Sequence, residues 1–284
     1  MPIHPRSTVP YTTARDGEPP QLLDVYSPEA APASTPAVLL WHGSAPDTRF
    51  EVASLARETA GHGVTVFVPD WRPDSPDGGR THLLASLRYV RENAASFGAD
   101  PARLVVAGWS MGAGAAIGTA LRPDLAGGQL PKAVVGIAGR YELPARSTGT
   151  VPLEDLASAP ATRVPGAPGV PVVLVHGAAD TIIESGHSRT FHAALAARRR
   201  AEAAHGPKDL HESVSLDGPK DRHESVSLHE PAADHAGVVM GAYDPALGHC
   251  VPATDPLALR AGRDTARLIA QAAFASASAP APFV

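Results

Sequence analysis

The chain has 284 residues, and 44% of its side chains are hydrophobic, enough for a sizeable core and against whole-chain disorder. The formal net charge of −5 favours neither a nucleic-acid backbone nor an anionic membrane surface as a partner. The single cysteine, Cys250, excludes an internal disulfide and a Cys-built zinc or iron–sulfur site, and no apolar run approaches the ~20 residues of a bilayer span.

Residues 1–20 are rich in Pro, Thr and charge and read as an arm. They contain no apolar block followed by a small-residue cleavage site, so they do not read as a secretory signal, and the expected location is cytoplasmic. Residues 22–26 are a short strand. Residues 37–41 (AVLLW) form a continuous apolar run that stops at His42-Gly43, the pattern of a strand buried on both faces. Residues 50–62 have helical spacing at Val52, Leu55, Ala56 and Thr59 and end among Gly61 and Gly63. Residues 64–68 are the next buried strand.

The alternation continues with an amphipathic helix over 81–97 and a strand over 103–107. Gly108-Trp109-Ser110-Met111-Gly112 and a small-residue helix to Leu121 follow at once. Strands over 132–138 and 170–175 and helices over 188–204 and 256–274 complete the pattern, and 276–284 is a low-complexity tail. Strands alternating with helices imply an α/β fold with a mostly parallel central sheet and helices on both faces, in one domain over 21–275. Ligands of such sheets bind at the edge where the strand C-termini lie.

Two segments break the rhythm. Residues 139–169 form a Pro-, Ser- and Thr-rich stretch at the active edge, read as a lid or specificity insertion. Residues 206–217 (GPKDLHESVSLD) recur as 218–229 (GPKDRHESVSLH), differing only at Leu210/Arg222 and Asp217/His229. Two copies are too few for a solenoid. One ESVSL strand can join the main sheet, which leaves the other as an edge strand or loop.

Gly108 to Gly112 matches G-x-S-x-G between a strand and a helix, a context that presents a serine hydroxyl at the sheet edge. Ser110 is therefore the candidate nucleophile. The helix N-terminus and the Met111 N–H are placed to stabilise negative charge beside it. A serine hydroxyl needs a base, usually a histidine oriented by a carboxylate, and in this fold the chain order is Ser, acid, His. Asp180 follows the apolar strand that ends at Val175 and is the candidate acid, with Glu184 as the fallback. Among the histidines after it, His235 follows the last strand-like run by a short loop and is the candidate base; His249 and then His229 are the alternatives. The second oxyanion donor falls in the loop after an earlier strand, at the Ser44 N–H, with Ala45 next. His42 reads as an imidazole bracing that loop. Trp41, Trp71 and Trp109 all fall at strand C-termini and, with Tyr141, are candidates to wall an apolar substrate pocket. His205, His211, His223, His229 and His235 lack the i, i+4 spacing of helical metal ligands, so no metal and no cofactor is expected.

Taken together, WHGS at Trp41, VFVPDWRPD at Val66, FGADPARLVVAGWSMGAGAA at Phe97, HGAAD at His176 and DHAG at Asp234 resemble the α/β-hydrolase superfamily over about Leu22 to Phe274. The likeness is to the bacterial carboxylesterase/lipase branch, hormone-sensitive-lipase-like or feruloyl-esterase-like. Where hormone-sensitive-lipase-like enzymes carry His-Gly-Gly-Gly, this chain has His42-Gly43-Ser44-Ala45. The resemblance implies Ser110 as nucleophile, Asp180 as acid, His235 as base, and Ser44 and Met111 as oxyanion donors. The implied partner is a small-molecule ester, with thioesterase, peptidase, lactonase or acyltransferase activity on the same groups, or a non-catalytic binding protein, as alternatives. Oligomeric state is not legible.

Overall fold

The computed structural model describes residues 5, 7–14, 19–29, 34–158, 169–204 and 226–275. Among these, one sheet of eight strands carries the fold. In chain order its strands are β1 (Ser7–Pro10), β2 (Leu22–Tyr26), β3 (Thr35–Trp41), β4 (Thr65–Pro69), β5 (Ala99–Trp109), β6 (Ala133–Ile137), β7 (Val172–Val175) and β8 (Val226–His229). The spatial order is β1-β2-β4-β3-β5-β6-β7-β8. From β4 to β8 every pairing is parallel, whereas β2 runs antiparallel to β4 and β1 antiparallel to β2.

The helices are α1 (Ala53–Gly61), α2 (Arg80–Asn93), α3 (Met111–Leu121), α4 (Pro152–Ser158), α5 (Gly186–Ala204) and α6 (Pro256–Ala275). The strand runs look uniformly apolar because both faces are buried and successive side chains alternate between them. Val38, Leu40, Val105, Ala107 and Val135 meet α1 and α6 through Leu55, Ala56, Ala266 and Ile269. Leu39, Trp41, Phe67, Leu104, Val106 and Val134 meet α2, α3 and α5 through Leu83, Leu87, Ile117 and Phe191. Each fully buried Leu or Val of these layers contributes about 1.5–3 kcal/mol over exposure.

Several elements depart from the sequence reading. The N-terminal arm is not wholly irregular, because Ser7–Pro10 adds an antiparallel edge strand to β2. β5 begins at Ala99, four residues before the expected 103, and its first two residues pair with Thr35 and Pro36 ahead of a register shift. Pro36 and Pro101 conceal this pairing, since neither has an N–H to donate. The helix expected over 50–62 opens as a 3-10 turn over Arg49–Val52. A hairpin of β9 (Gly241–Asp244) and β10 (His249–Pro252) lies outside the main sheet. In the duplicated segment, 206–225 lies outside the described residues, and β8 is formed by the second copy. Of the 139–169 segment, 159–168 lies outside them as well. The described part packs onto α3, with Ser147 fully buried and its hydroxyl donating to the Ala115 carbonyl at 2.7 Å. The tail over 276–284 is also outside the described residues. No helix among those described is long and apolar enough to cross a membrane.

Candidate active site

Ser110 sits between the end of β5 and the start of α3 with φ 55° and ψ −117°, a backbone conformation that costs a non-glycine residue about 1–3 kcal/mol. Neighbouring groups hold it there. The Ser110 N–H donates to the Ile137 carbonyl at 2.8 Å, and the Ala113 N–H donates to the Ser110 carbonyl at 3.0 Å. The flanking glycines are required by proximity. A Cβ at Gly108 would come within 2.0 Å of the Gly112 carbonyl oxygen, and one at Gly112 within 2.5 Å of the His42 oxygen. Met111 is the first residue of α3, so its N–H has no acceptor inside the helix.

The loop after β3 lies against this turn. A Cβ built on Gly43 would sit 3.5 Å from the Ser110 Cβ and 3.1 Å from the Trp109 ring. Ser44 follows, exposed. His42 is fully buried and organises the loop. Its Nε2 accepts from the Trp71 N–H at 3.2 Å, so the proton is on Nδ1, which lies 3.2 Å from the Gly43 oxygen and 3.1 Å from Thr48 Oγ1. The Thr48 hydroxyl donates in turn to the Ala45 carbonyl at 3.0 Å. Burial lowers the His42 pKa to about 3; the Gly43 hydrogen bond opposes the shift and Arg49 adds to it. A neutral imidazole therefore braces the loop, as its position in the sequence suggested.

Asp180 and His235, 55 residues apart in the chain, meet at 2.7 Å through Asp180 Oδ2 and His235 Nδ1. Asp180 Oδ1 accepts the Ile182 and Ile183 N–H groups, both at 2.9 Å. Burial alone would raise the Asp180 pKa, but hydrogen bonds from His176, His235 and the Ile183 N–H outweigh it and hold the carboxyl well below the usual range. Trp109 connects this pair to the turn: its Nε1–H donates to the His235 carbonyl at 2.9 Å, and its ring lies 5.2 Å from the imidazole, centroid to centroid. Trp109 thus ties the Asp180–His235 pair to the turn that carries Ser110, against which Gly43 packs.

The other candidates lie elsewhere or do other work. His249 packs edge-on against Phe50, and His229 Nε2 lies 3.2 Å from Ser227 Oγ on β8; neither is bonded to Asp180. Glu184 is exposed on the loop beyond Asp180. His205, His211 and His223 are outside the described residues. Among the described residues, no group of three His, Cys, Asp or Glu side chains is placed to hold a metal ion.

The aromatic wall expected from Trp41, Trp71, Trp109 and Tyr141 is not what the structure presents. Trp41, Trp71 and Tyr141 are fully buried and Trp109 is 4% exposed. Trp41 faces α2, its Nε1–H donating to Ser86 Oγ at 3.0 Å. Trp71 packs on His42. Tyr141 stacks on Phe191 at 4.5 Å, with room for its hydroxyl only because residue 136 is glycine, where a Cβ would come within 2.5 Å. Large rings at strand ends are drawn into the layers because a strand's last inward residue still faces a helix. Leu143 and Ile182, on the loops after β6 and β7, are instead exposed apolar side chains that the sequence reading did not single out. It also passed over His176, the second imidazole on Asp180; its signal was a histidine at the end of a buried strand, four residues before the acid.

The sheet order, the strand–turn–helix at Ser110 and the placement of Asp180 and His235 after β7 and β8 define an α/β-hydrolase fold. Solved structures agree. Butyrate-bound esterase 2 of Thermogutta terrifontis superposes with a TM-score of 0.64 at 17% identity, over 98% of this chain and 96% of that one. The apo form of the same esterase gives 0.62 at 18% identity, over 100% and 98%. A truncated carbohydrate esterase from gut microbiota gives 0.59 at 15% identity, over 96% and 98%. At these identities the likeness is one of fold. No protein-family model and no curated protein sequence matches the chain.

Proposed function

We propose that the protein is a serine hydrolase of carboxylic esters, of the bacterial carboxylesterase kind, hormone-sensitive-lipase-like or feruloyl-esterase-like. The observation that carries the reading is the 2.7 Å Asp180–His235 bond, anchored by Trp109, the residue next to a strained Ser110. With Nδ1 committed to Asp180, His235 has Nε2 left to take the Ser110 proton. Ser110 Oγ attacks the ester carbonyl, and the Met111 and Ser44 N–H groups stabilise the oxyanion. The imidazolium gives its proton to the departing alcohol. Water, activated by the same imidazole, then releases the acid from the acyl-enzyme. The fold neighbours support this chemistry: forms of the Thermogutta terrifontis esterase are described as phosphorylated by paraoxon and as propionate-bound. Leu143 and Ile182, exposed on the loops that follow β6 and β7, are offered as contacts for an apolar group of the ester.

The test is a p-nitrophenyl ester chain-length series on the wild type, Ser110→Ala, His235→Ala and His249→Ala, with fluorophosphonate labelling of Ser110. The first two substitutions should each cost about 10⁴-fold or more in kcat, and His249→Ala should leave kcat near wild type. Turnover surviving in Ser110→Ala, or labelling at another residue, would overturn the assignment.

A further inference from the structure

Asp180 carries more donors than a catalytic acid needs to hold one imidazole. His176 is fully buried at the end of β7, its Nε2 lying 2.8 Å from the Ile183 carbonyl oxygen and 3.2 Å from Asp180 Oδ2. Both are acceptors, so Nε2 bears the proton. Nδ1 is then bare, and Ser188, also fully buried, donates its hydroxyl hydrogen to it at 2.7 Å. The two acceptors at Nε2 set this tautomer, and the Ser188 hydroxyl satisfies the Nδ1 it leaves bare and braces the ring. The carboxylate oxygen that His176 touches is Oδ2, the same atom that receives His235 Nδ1. Oδ1 is already saturated by the Ile182 and Ile183 N–H groups.

We infer that His176, braced at Nδ1 by Ser188, is a positioning residue that pins Asp180 Oδ2 toward His235. The inference rests on the reading of Ser110, Asp180 and His235 as the hydrolytic machinery. Two backbone donors hold Oδ1 but leave the carboxylate free to rock about that anchor, and a second imidazole on Oδ2 beside His235 limits the rocking. Loss of that donor misaligns the acid without touching the substrate, so it acts on kcat and not on KM. A purely architectural histidine, closing the 176–183 loop through the Ile183 carbonyl, would instead lower stability and leave turnover of the folded protein unchanged.

The experiment compares wild type, Ser110→Ala, His176→Leu, His176→Gln and Ser188→Ala on one p-nitrophenyl ester, with Tm and the rate of fluorophosphonate labelling for each. Expected are a kcat loss of about tenfold or more in His176→Leu with KM within about twofold, recovery to within about threefold of wild type in His176→Gln, whose Nε2 restores an N–H donor, and a smaller kcat loss in Ser188→Ala. Folded His176→Leu with wild-type kcat and labelling rate overturns the inference and leaves the serine-hydrolase reading intact. If His176→Leu does not fold, Ser188→Ala decides: lowered kcat at unchanged KM supports the inference, and wild-type kcat overturns it. Activity retained in Ser110→Ala overturns both.

Discussion

The indole N–H of Trp109 reaches 126 residues along the chain to the carbonyl oxygen of His235, at 2.9 Å. The residue beside the candidate nucleophile therefore holds the candidate base by its backbone, while the same ring packs against the imidazole. The two halves of this contact are separable. Trp109→Phe keeps a ring and removes the N–H, and should lower kcat about tenfold at nearly constant KM. Trp109→Ala also removes packing at a 4% exposed position, and its unfolding free energy should fall by about 3–5 kcal/mol. Steady-state kinetics and urea unfolding on both variants check this; equal kinetics for Trp109→Phe and wild type would falsify the anchoring role.

Helix α3 approaches β3 so closely that a methyl group at Gly112 would meet backbone, the His42 oxygen at 2.5 Å and the Trp41 oxygen at 2.7 Å. Backbone cannot swing aside as a side chain can. Gly112→Ala should cost about 1–3 kcal/mol or more, lowering Tm by several degrees at about 2–4 °C per kcal/mol. Gly61→Ala is the contrasting change: it ends α1, has nothing within 4 Å of the added carbon, and should hold or raise Tm. Thermal melts of the two variants check this: Gly112→Ala should fall well below the wild type and Gly61→Ala should not.

What the sequence revealed follows from where its physics is local. Buried parallel strands announce themselves as unbroken apolar runs, so β3, β4, β6 and β7 could be placed within two residues. The strained turn at Ser110 is local too, and so is the acid after a buried strand. The partner of Asp180 was harder, because 55 residues and a duplicated unit intervene, yet His235 is the histidine its Oδ2 meets along with His176. Non-local features escape such a reading. β1 exists only because β2 offers it an edge, and the start of β5 hides behind Pro36 and Pro101. The hairpin of β9 and β10 turns at Pro245 to Gly248, where Asp244 Oδ1 accepts the Ala246 N–H at 2.9 Å, a composition that reads as loop. Trp41 reads as a site residue because strand position says which end of a strand a ring occupies and not which way it points.

The neutral His42 makes stability depend on pH. Its folded-state pKa is lowered to about 3 by burial, with the Gly43 hydrogen bond opposing and Arg49 reinforcing, against about 6.5 in the unfolded chain. Between those values the unfolded chain binds the extra proton. The contribution is complete above about pH 6.5 and is lost as pH falls toward 3, at up to about 1.4 kcal/mol per pH unit. Asp180, also depressed, adds a loss of the same sign beginning near its ordinary range of about 4. Urea unfolding at steps from pH 7 to 4.5 should show a shallower decline for His42→Gln than for wild type, the difference opening below about pH 6.5. Parallel declines would mean that the imidazole is not held neutral by the fold.

Cys250 lies on β10, 7% exposed, with its backbone N–H donating to Glu51 Oε1 at 2.8 Å. Burial pushes its thiol pKa up to about 12, and the nearby negative charges of Glu51 and Asp234 push in the same direction. The thiolate is the reactive form, so at pH 8 the native protein should react with a disulfide reagent orders of magnitude more slowly than the same chain unfolded in guanidinium. Glu51→Gln removes one of the charges that raise the thiol and keeps a side-chain oxygen for the Cys250 N–H, so native labelling should quicken. Unchanged slow labelling in that variant would assign the protection to steric burial alone, and rapid labelling of the wild type would mean that β10 opens readily from the 3-10 turn carrying Glu51.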